Sequence, residues 1–203
     1  MSTRLSRKSS GGVTLVELIV FIVIVGVAMA GVFAAFNTMT KASADPQVRK
    51  QVLAIAESLM DEVASMPFTY CDPDDPQAAT AQSASVGPNG CSEAAAIENL
   101  GPEPTAPYGP ETRYSTTNPF DNVNDYNTFS MSGIKAISDG STNVTGLGNY
   151  SANITVSQTA ISSGIDTITS TEALLISITV NGPTGQSVTL EGYRTRYQPK
   201  TTP

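Results

Sequence analysis

Gly11-Gly12-Val13-Thr14-Leu15-Val16-Glu17, with the apolar run that continues behind it to Phe36, decides what this chain can be. From Val13 to Phe36 there is no proline and one charge, Glu17. About 24 residues at about 1.5 Å of helical rise reach about 36 Å, enough to cross a hydrocarbon core of about 30 Å with some tilt. The segment therefore reads as a membrane helix. A lone carboxylate inside such a helix costs about 2.5–3.5 kcal/mol on insertion scales, so Glu17 needs a partner.

Outward on the N-terminal side lies a short leader, Met1 to Gly12, which carries Arg4, Arg7 and Lys8 and no acid. In an ordinary secretory signal the small residues of the cut follow the apolar stretch. Here Gly11-Gly12 precede it. The arrangement resembles the type IV prepilin family, in which a cytoplasmic-side peptidase cuts after a glycine and leaves the apolar helix as the new N-terminus. The resemblance implies cleavage between Gly12 and Val13, N-methylation of Val13, and an assembly role for Glu17, whose carboxylate would meet the free amine of a neighbouring mature subunit. It names as partners the prepilin peptidase and methyltransferase, other pilin subunits, the pilus assembly machinery and the inner membrane. Val13 stands where major pilins usually carry Phe, and Ala34 where many carry Pro. Both departures point to a minor pilin or a pseudopilin.

Further resemblance lies beyond the helix. Met66-Pro67-Phe68 with Tyr70-Cys71-Asp72-Pro73-Asp74-Asp75, the stretch Asn118-Pro119-Phe120-Asp121-Asn122-Val123-Asn124-Asp125-Tyr126, and Ala54-Ile55-Ala56-Glu57-Ser58 are similar to the MshD-type minor prepilins of mannose-sensitive haemagglutinin (MSHA) pili. This implies a minor pilin that enters or initiates a surface pilus for attachment. A minor pseudopilin of a type II secretion system shares every N-terminal feature, and a pilus-tip binding module is the alternative of another class.

Composition narrows the field. The 203 residues suffice for one domain plus an anchor, and they include no His and no Trp. Without His the usual general base and near-neutral metal ligand are missing. Removing the leader takes three of eleven basic residues and none of eighteen acids, leaving a charge of −10. Such a surface disfavours phosphate backbones, so no nucleic-acid partner is expected. Neither a P-loop nor a dinucleotide fingerprint is present. Ser132-Gly133-Ile134-Lys135 fits S-x-x-K without its companion motifs. Neither enzymatic activity nor a cofactor is expected.

Within the apolar run Gly26, Ala30 and Ala34 fall on one helical line and Gly31 and Ala35 on another, a spacing that lets helix backbones approach. After Phe36 the chain turns polar, and Asp45-Pro46 reads as a helix start, with Pro46 expected to kink or break the path. Val48, Val52, Ile55, Leu59, Val63 and Met66 then form one stripe at helical spacing, ended by Pro67. Phe68 to Asn118 holds seven prolines between Pro73 and Pro110 and reads as a loop, with at most a short helix near Ser92 to Asn99.

Cys71 and Cys91 bracket the first half of that loop. In an exported chain the pair reads first as a disulfide, with free thiols or an incomplete metal site as poorer readings. Asp121 and Asp125, with Asn between them, can furnish oxygen ligands for Ca²⁺. Asx-turns that tuck Phe120 and Tyr126 under a sheet are the preferred account, and no metal is assigned.

Strand alternation appears over 150–160, 173–181 and 187–197, the last two joined by the turn Gly182-Pro183-Thr184-Gly185, with 134–137 as a possible edge strand. The expected fold is α+β and type IV pilin-like: a long N-terminal helix, half membrane and half amphipathic, packed on a C-terminal antiparallel sheet with a long disulfide-bracketed loop. The expected segments are a cytoplasmic leader 1–12, an assembly helix 13–36, a spine helix 37–67 and a globular domain 68–203, divided into loop 68–118 and β-rich 119–203. The expected location is the bacterial inner membrane, single-pass with the N-terminus cytoplasmic, and the pilus or cell surface after assembly.

Overall fold

The computed structural model of the protein describes residues 12–137, 139–162, 164 and 167–196, and of residues 40–45 the backbone alone. The chain divides into two compact units, Met1–Pro46 and Gln47–Pro203. One helix, α1 (Leu15–Ser65), supplies the apolar segment of the first and the spine of the second. Pro46 lies inside it without ending it, so the expected break does not occur. A proline removes a single backbone donor, and a helix with apolar stretches on both sides outlasts that loss.

In the first unit, Leu15–Met39 forms a 25-residue stretch long and apolar enough to span a membrane. The large apolar side chains from Val13 to Met39, Val25 apart, are 50–74% exposed.

The second unit is built on the predicted stripe. Val52, Ile55, Leu59 and Val63 are buried, with Val48 and Met66 packed at the margins. They cover a four-stranded antiparallel sheet in the order β1 (Ser130–Ser132), β2 (Ser151–Gln158), β5 (Ala173–Asn181), β6 (Ser187–Thr195). Between β2 and β5 a two-stranded excursion, β3 (Ile161–Ser162) and β4 (Thr167–Ile168), forms its own small pair. Alternation places Ala152, Ile154 and Val156 of β2 beside Leu174, Ile176, Ile178 and Val180 of β5 on the inner face. Each Val, Leu or Ile among them contributes about 1.5–3 kcal/mol when fully buried.

The β5–β6 hairpin closes where the turn residues direct it. Asn181 pairs with Ser187, the Gly182 amide donates to the Gln186 carbonyl at 2.7 Å, and Gly185 takes φ +88°. Gly182 also permits close approach of the helix, since a Cβ there would lie 2.9 Å from both Val48 Cγ1 and Val52 Cγ2.

The edge strand differs from expectation. It is Ser130–Ser132, whereas Ile134 to Ile137 follows a turn at Gly133 (φ +74°) and keeps a single bridge, Lys135 to Asn143. Positive φ at Gly133 turns the chain out of the ladder one residue before the apolar pair that suggested a strand. The anticipated helix near Ser92 shrinks to one 3-10 turn, Ala94–Ala96.

Candidate functional site

Two places combine polar chemistry with unusual surroundings: the start of α1 and the loops beneath the spine. At the start of α1, Gly12, Val13 and Thr14 are exposed and non-helical, and α1 begins at Leu15. Thr14 caps the helix, its Oγ1 accepting the Glu17 amide at 3.3 Å and its carbonyl the Leu18 amide at 3.1 Å. Glu17 therefore sits in the first turn, where the helix dipole favours a negative side chain. Its carboxylate meets no partner among the described residues. A Cβ on Gly26 or Gly31 would find nothing within 4 Å, and Ala30 and Ala34 are exposed on the same helix. The leader residues Arg4, Arg7, Lys8 and Gly11 lie outside the described residues.

In the second unit Cys71 and Cys91 form a disulfide, as expected. It closes a loop with a sequence separation of 20, a constraint on the unfolded chain of about 3 kcal/mol in the chain-entropy model. Cys71, Cys91, Ala96 and Tyr108 build a small core of their own around it.

Asp121 and Asp125 come together as the Asx-turn reading anticipated. A 3-10 turn, Val123–Tyr126, is held by a capping box in which the Asn122 side chain accepts the Asn124 amide and Asp125 Oδ2 accepts the Asn122 amide at 2.7 Å. Asp125 Oδ2 also accepts the Asp121 amide at 2.9 Å. Phe120 and Tyr126 are buried in the main core, ring centroids 5.0 Å apart, edge to face. Tyr126 reaches back to the spine and donates to Glu62 Oε1 at 2.9 Å. Glu62 is held from the other side by Arg113, whose Nε and terminal nitrogen donate at 2.7 and 2.6 Å.

Sequence reasoning missed the company that Asp121 and Asp125 keep. Three overlapping sets of carboxylates, Asp72–Glu98–Glu103, Asp72–Asp74–Asp121 and Glu103–Glu111–Asp125, each hold their oxygens within 4.8 Å of one another. Asp72, Glu98, Glu103, Glu111 and Asp125 are buried. Both Glu98 oxygens, Glu103 Oε2, Asp121 Oδ1, Asp125 Oδ1 and the amide oxygen of Asn124 are buried without a hydrogen-bond partner. A buried acceptor left without a partner costs about 1–3 kcal/mol, and more when charged.

The electrostatics follow. Burial first, then the charges of Asp72 and Asp125, pushes Asp121 up to about 7. Burial raises Asp72 to about 6 although the Asp74 amide pulls the other way. Burial, followed by the neighbouring acids, lifts Glu98 far above the usual carboxylate range, and burial followed by the hydrogen bond with Glu103 does the same for Glu111. Asp75 is the internal control. Its exposure is as low, though protein encloses it less deeply, and burial by itself would raise it. Hydrogen bonds from Ser92 and from the Gln77 amide outweigh that and hold it below its ordinary value.

The prokaryotic N-terminal methylation motif matches this chain over residues 7–33. No curated protein and no solved structure matches it.

Proposed function

We propose that this type IV prepilin-like protein is a minor subunit of an MSHA-type surface pilus, cut by prepilin peptidase between Gly12 and Val13, methylated on Val13, and packed with other pilins through its apolar helix. The observation that carries the reading is the methylation motif at 7–33 joined to a membrane-length helix whose apolar side chains are exposed along the described span. The motif's family is structural rather than enzymatic. Glu17 supports the reading physically. A first-turn carboxylate on an apolar rod is stabilised by a cation brought to it, and the mature N-terminus of a neighbouring copy supplies one at the right level, with a charge-assisted hydrogen bond. The lines of Gly26, Ala30, Gly31 and Ala34 give that neighbour a close backbone approach.

A minor pseudopilin of a secretion system is the second reading, since Val13 and Ala34, at positions where major pilins usually carry Phe and many carry Pro, fit it as well as they fit a minor pilin. Deletion separates the two, through loss of surface pili and attachment in one case and loss of exoprotein secretion in the other. Intact mass tests the shared premise. Protein from cells with a working prepilin peptidase should lack residues 1–12 and carry one added methyl, and protein from peptidase-deficient cells should keep the leader. A chain that still begins at Met1 in the first cells overturns the proposal.

A further inference from the structure

The proposed assembly through α1 gives the buried carboxylates of the second unit no task, and their burial calls for an explanation. We infer that the pocket around Glu103 is a binding site for Ca²⁺, with Glu103 as the ligand shared between the Asp72–Glu98 side and the Glu111–Asp125 side.

Geometry leads the case. Two oxygens that both ligate Ca²⁺ at about 2.3–2.6 Å can be no more than about 5 Å apart. The oxygens of Asp72, Glu98 and Glu103 meet that limit together, as do those of Glu103, Glu111 and Asp125. The orphaned acceptors are a second and independent observation. Glu98 is 92% buried with neither oxygen paired, Glu103 93% with Oε2 unpaired, and Asp125 99% with Oδ1 unpaired. The neighbouring amide oxygen of Asn124, 96% buried, is unpaired as well. Asp75, at 97% buried, shows how this fold satisfies a carboxylate that has no such task, with donors from Ser92 and Gln77.

Among the described residues no Lys or Arg forms an ion pair with these groups. Among the described residues the ion pair seen is Arg113 with Glu62, outside the cluster. Arg196, near enough to Glu98 to interact electrostatically, stacks on Phe68 and on Tyr70 at 3.8 Å from each ring centre.

The donor set selects the metal. It is all oxygen, in a chain without His whose two cysteines are joined to each other, which suits a hard cation and excludes thiolate or imidazole sites. Ca²⁺ accepts six to eight oxygens in irregular geometry. Mg²⁺ demands an octahedron and keeps several waters, for which side chains this deeply buried leave little room. A bound Ca²⁺ would tie the segment after Cys71, the loop from Glu98 to Glu111 and the Asn122–Tyr126 turn to one another. This inference is independent of the filament reading, and either can fail alone.

The test uses the full-length, disulfide-bonded chain in detergent micelles near neutral pH, stripped with EDTA. Calorimetric titration with CaCl₂ should give saturable binding with Kd at or below about 10⁻³ M. Thermal unfolding of the second unit should occur at higher temperature in about 5 mM CaCl₂ than in EDTA, with a smaller rise in MgCl₂. Glu103→Gln should weaken Ca²⁺ binding at least about tenfold. In EDTA the same variant should unfold at the wild-type temperature or above, because it removes one charge from the crowd. Tyrosine-sensitised Tb³⁺ emission from the wild type, with Tyr126 next to Asp125 and no Trp in the chain, should appear and be displaced by Ca²⁺. That readout holds even if the variant does not fold. No saturable binding together with equal unfolding temperatures in CaCl₂ and EDTA overturns the inference. So does a folded Glu103→Gln that binds Ca²⁺ like the wild type, or Tb³⁺ emission that is absent or indifferent to Ca²⁺.

Discussion

The two units break the rule of apolar inside and charged outside in opposite directions. From Val13 to Met39 large aliphatic and aromatic side chains stand exposed around a single acid. In Gln47–Pro203 most of the large aliphatic side chains described are inside, Leu53, Val86, Leu100, Ile137 and Val144 being exposed, and the carboxylates of Asp72, Glu98, Glu103, Glu111 and Asp125 are inside with them. Exposed hydrocarbon and buried carboxyl oxygens without partners are each costly, and each marks where the chain relies on something outside itself. For the helix that is lipid or other apolar helices. For the pocket it is a cation. The Arg113–Glu62 pair shows the alternative, a partly buried acid whose counter-charge the chain carries itself.

The comparison can be broken at its weakest joint first. Glu17→Ala should leave leader cleavage intact and reduce incorporation into filaments by at least about tenfold, if the proposed pairing of Glu17 with a neighbour's amine contributes about 1.4 kcal/mol or more. Immunoblots of sheared filaments against total mature protein read this out, and normal incorporation would remove the pairing role.

Within the second unit, Arg113→Met should destabilise by about 3–5 kcal/mol, because Glu62 would stay largely enclosed with Tyr126 as its remaining side-chain partner. Denaturant unfolding of the full chain in micelles measures it. A change below about 1 kcal/mol would mean that the pair behaves as a solvated surface bridge.

The smallest effect sharpens the contrast. Ile22→Ala should alter the unfolding of the second unit by no more than about 0.5 kcal/mol, whereas Ile154→Ala, fully buried in β2, should cost about 2–5 kcal/mol. Equal losses from the two would show that the units are not energetically separate.

Much of the fold was legible because it repeats. The stripe from Val48 to Met66 has the helical period, β2, β5 and β6 have the period of two, and Gly182 to Gly185 punctuates the hairpin, so local rules suffice there. Ile134 to Ile137 misled, since a four-residue stretch bounded by two isoleucines resembles a strand fragment until the turn at Gly133 is seen. At the candidate sites, Glu17 was legible as the one charge in an apolar run. Cys71 with Cys91 was legible as the lone pair of thiols. Of the acidic pocket, Asp121 and Asp125 alone were visible, through their Asn-rich spacing.

Sequence by itself determined the apolar helix of membrane-spanning length, the alternation of the sheet and the cysteine pairing, all features in which the informative residues are neighbours or repeat at a fixed step. Tertiary structure alone decided that Glu62 of the spine is clasped by Arg113, and that Glu98, Glu103 and Glu111 join Asp72 and Asp125. All of those acids but Asp125 lie in a proline-rich loop without periodicity, where spacing along the chain carries no information about distance in space. Only the folding of that loop around its disulfide and against the 3-10 turn brings them together.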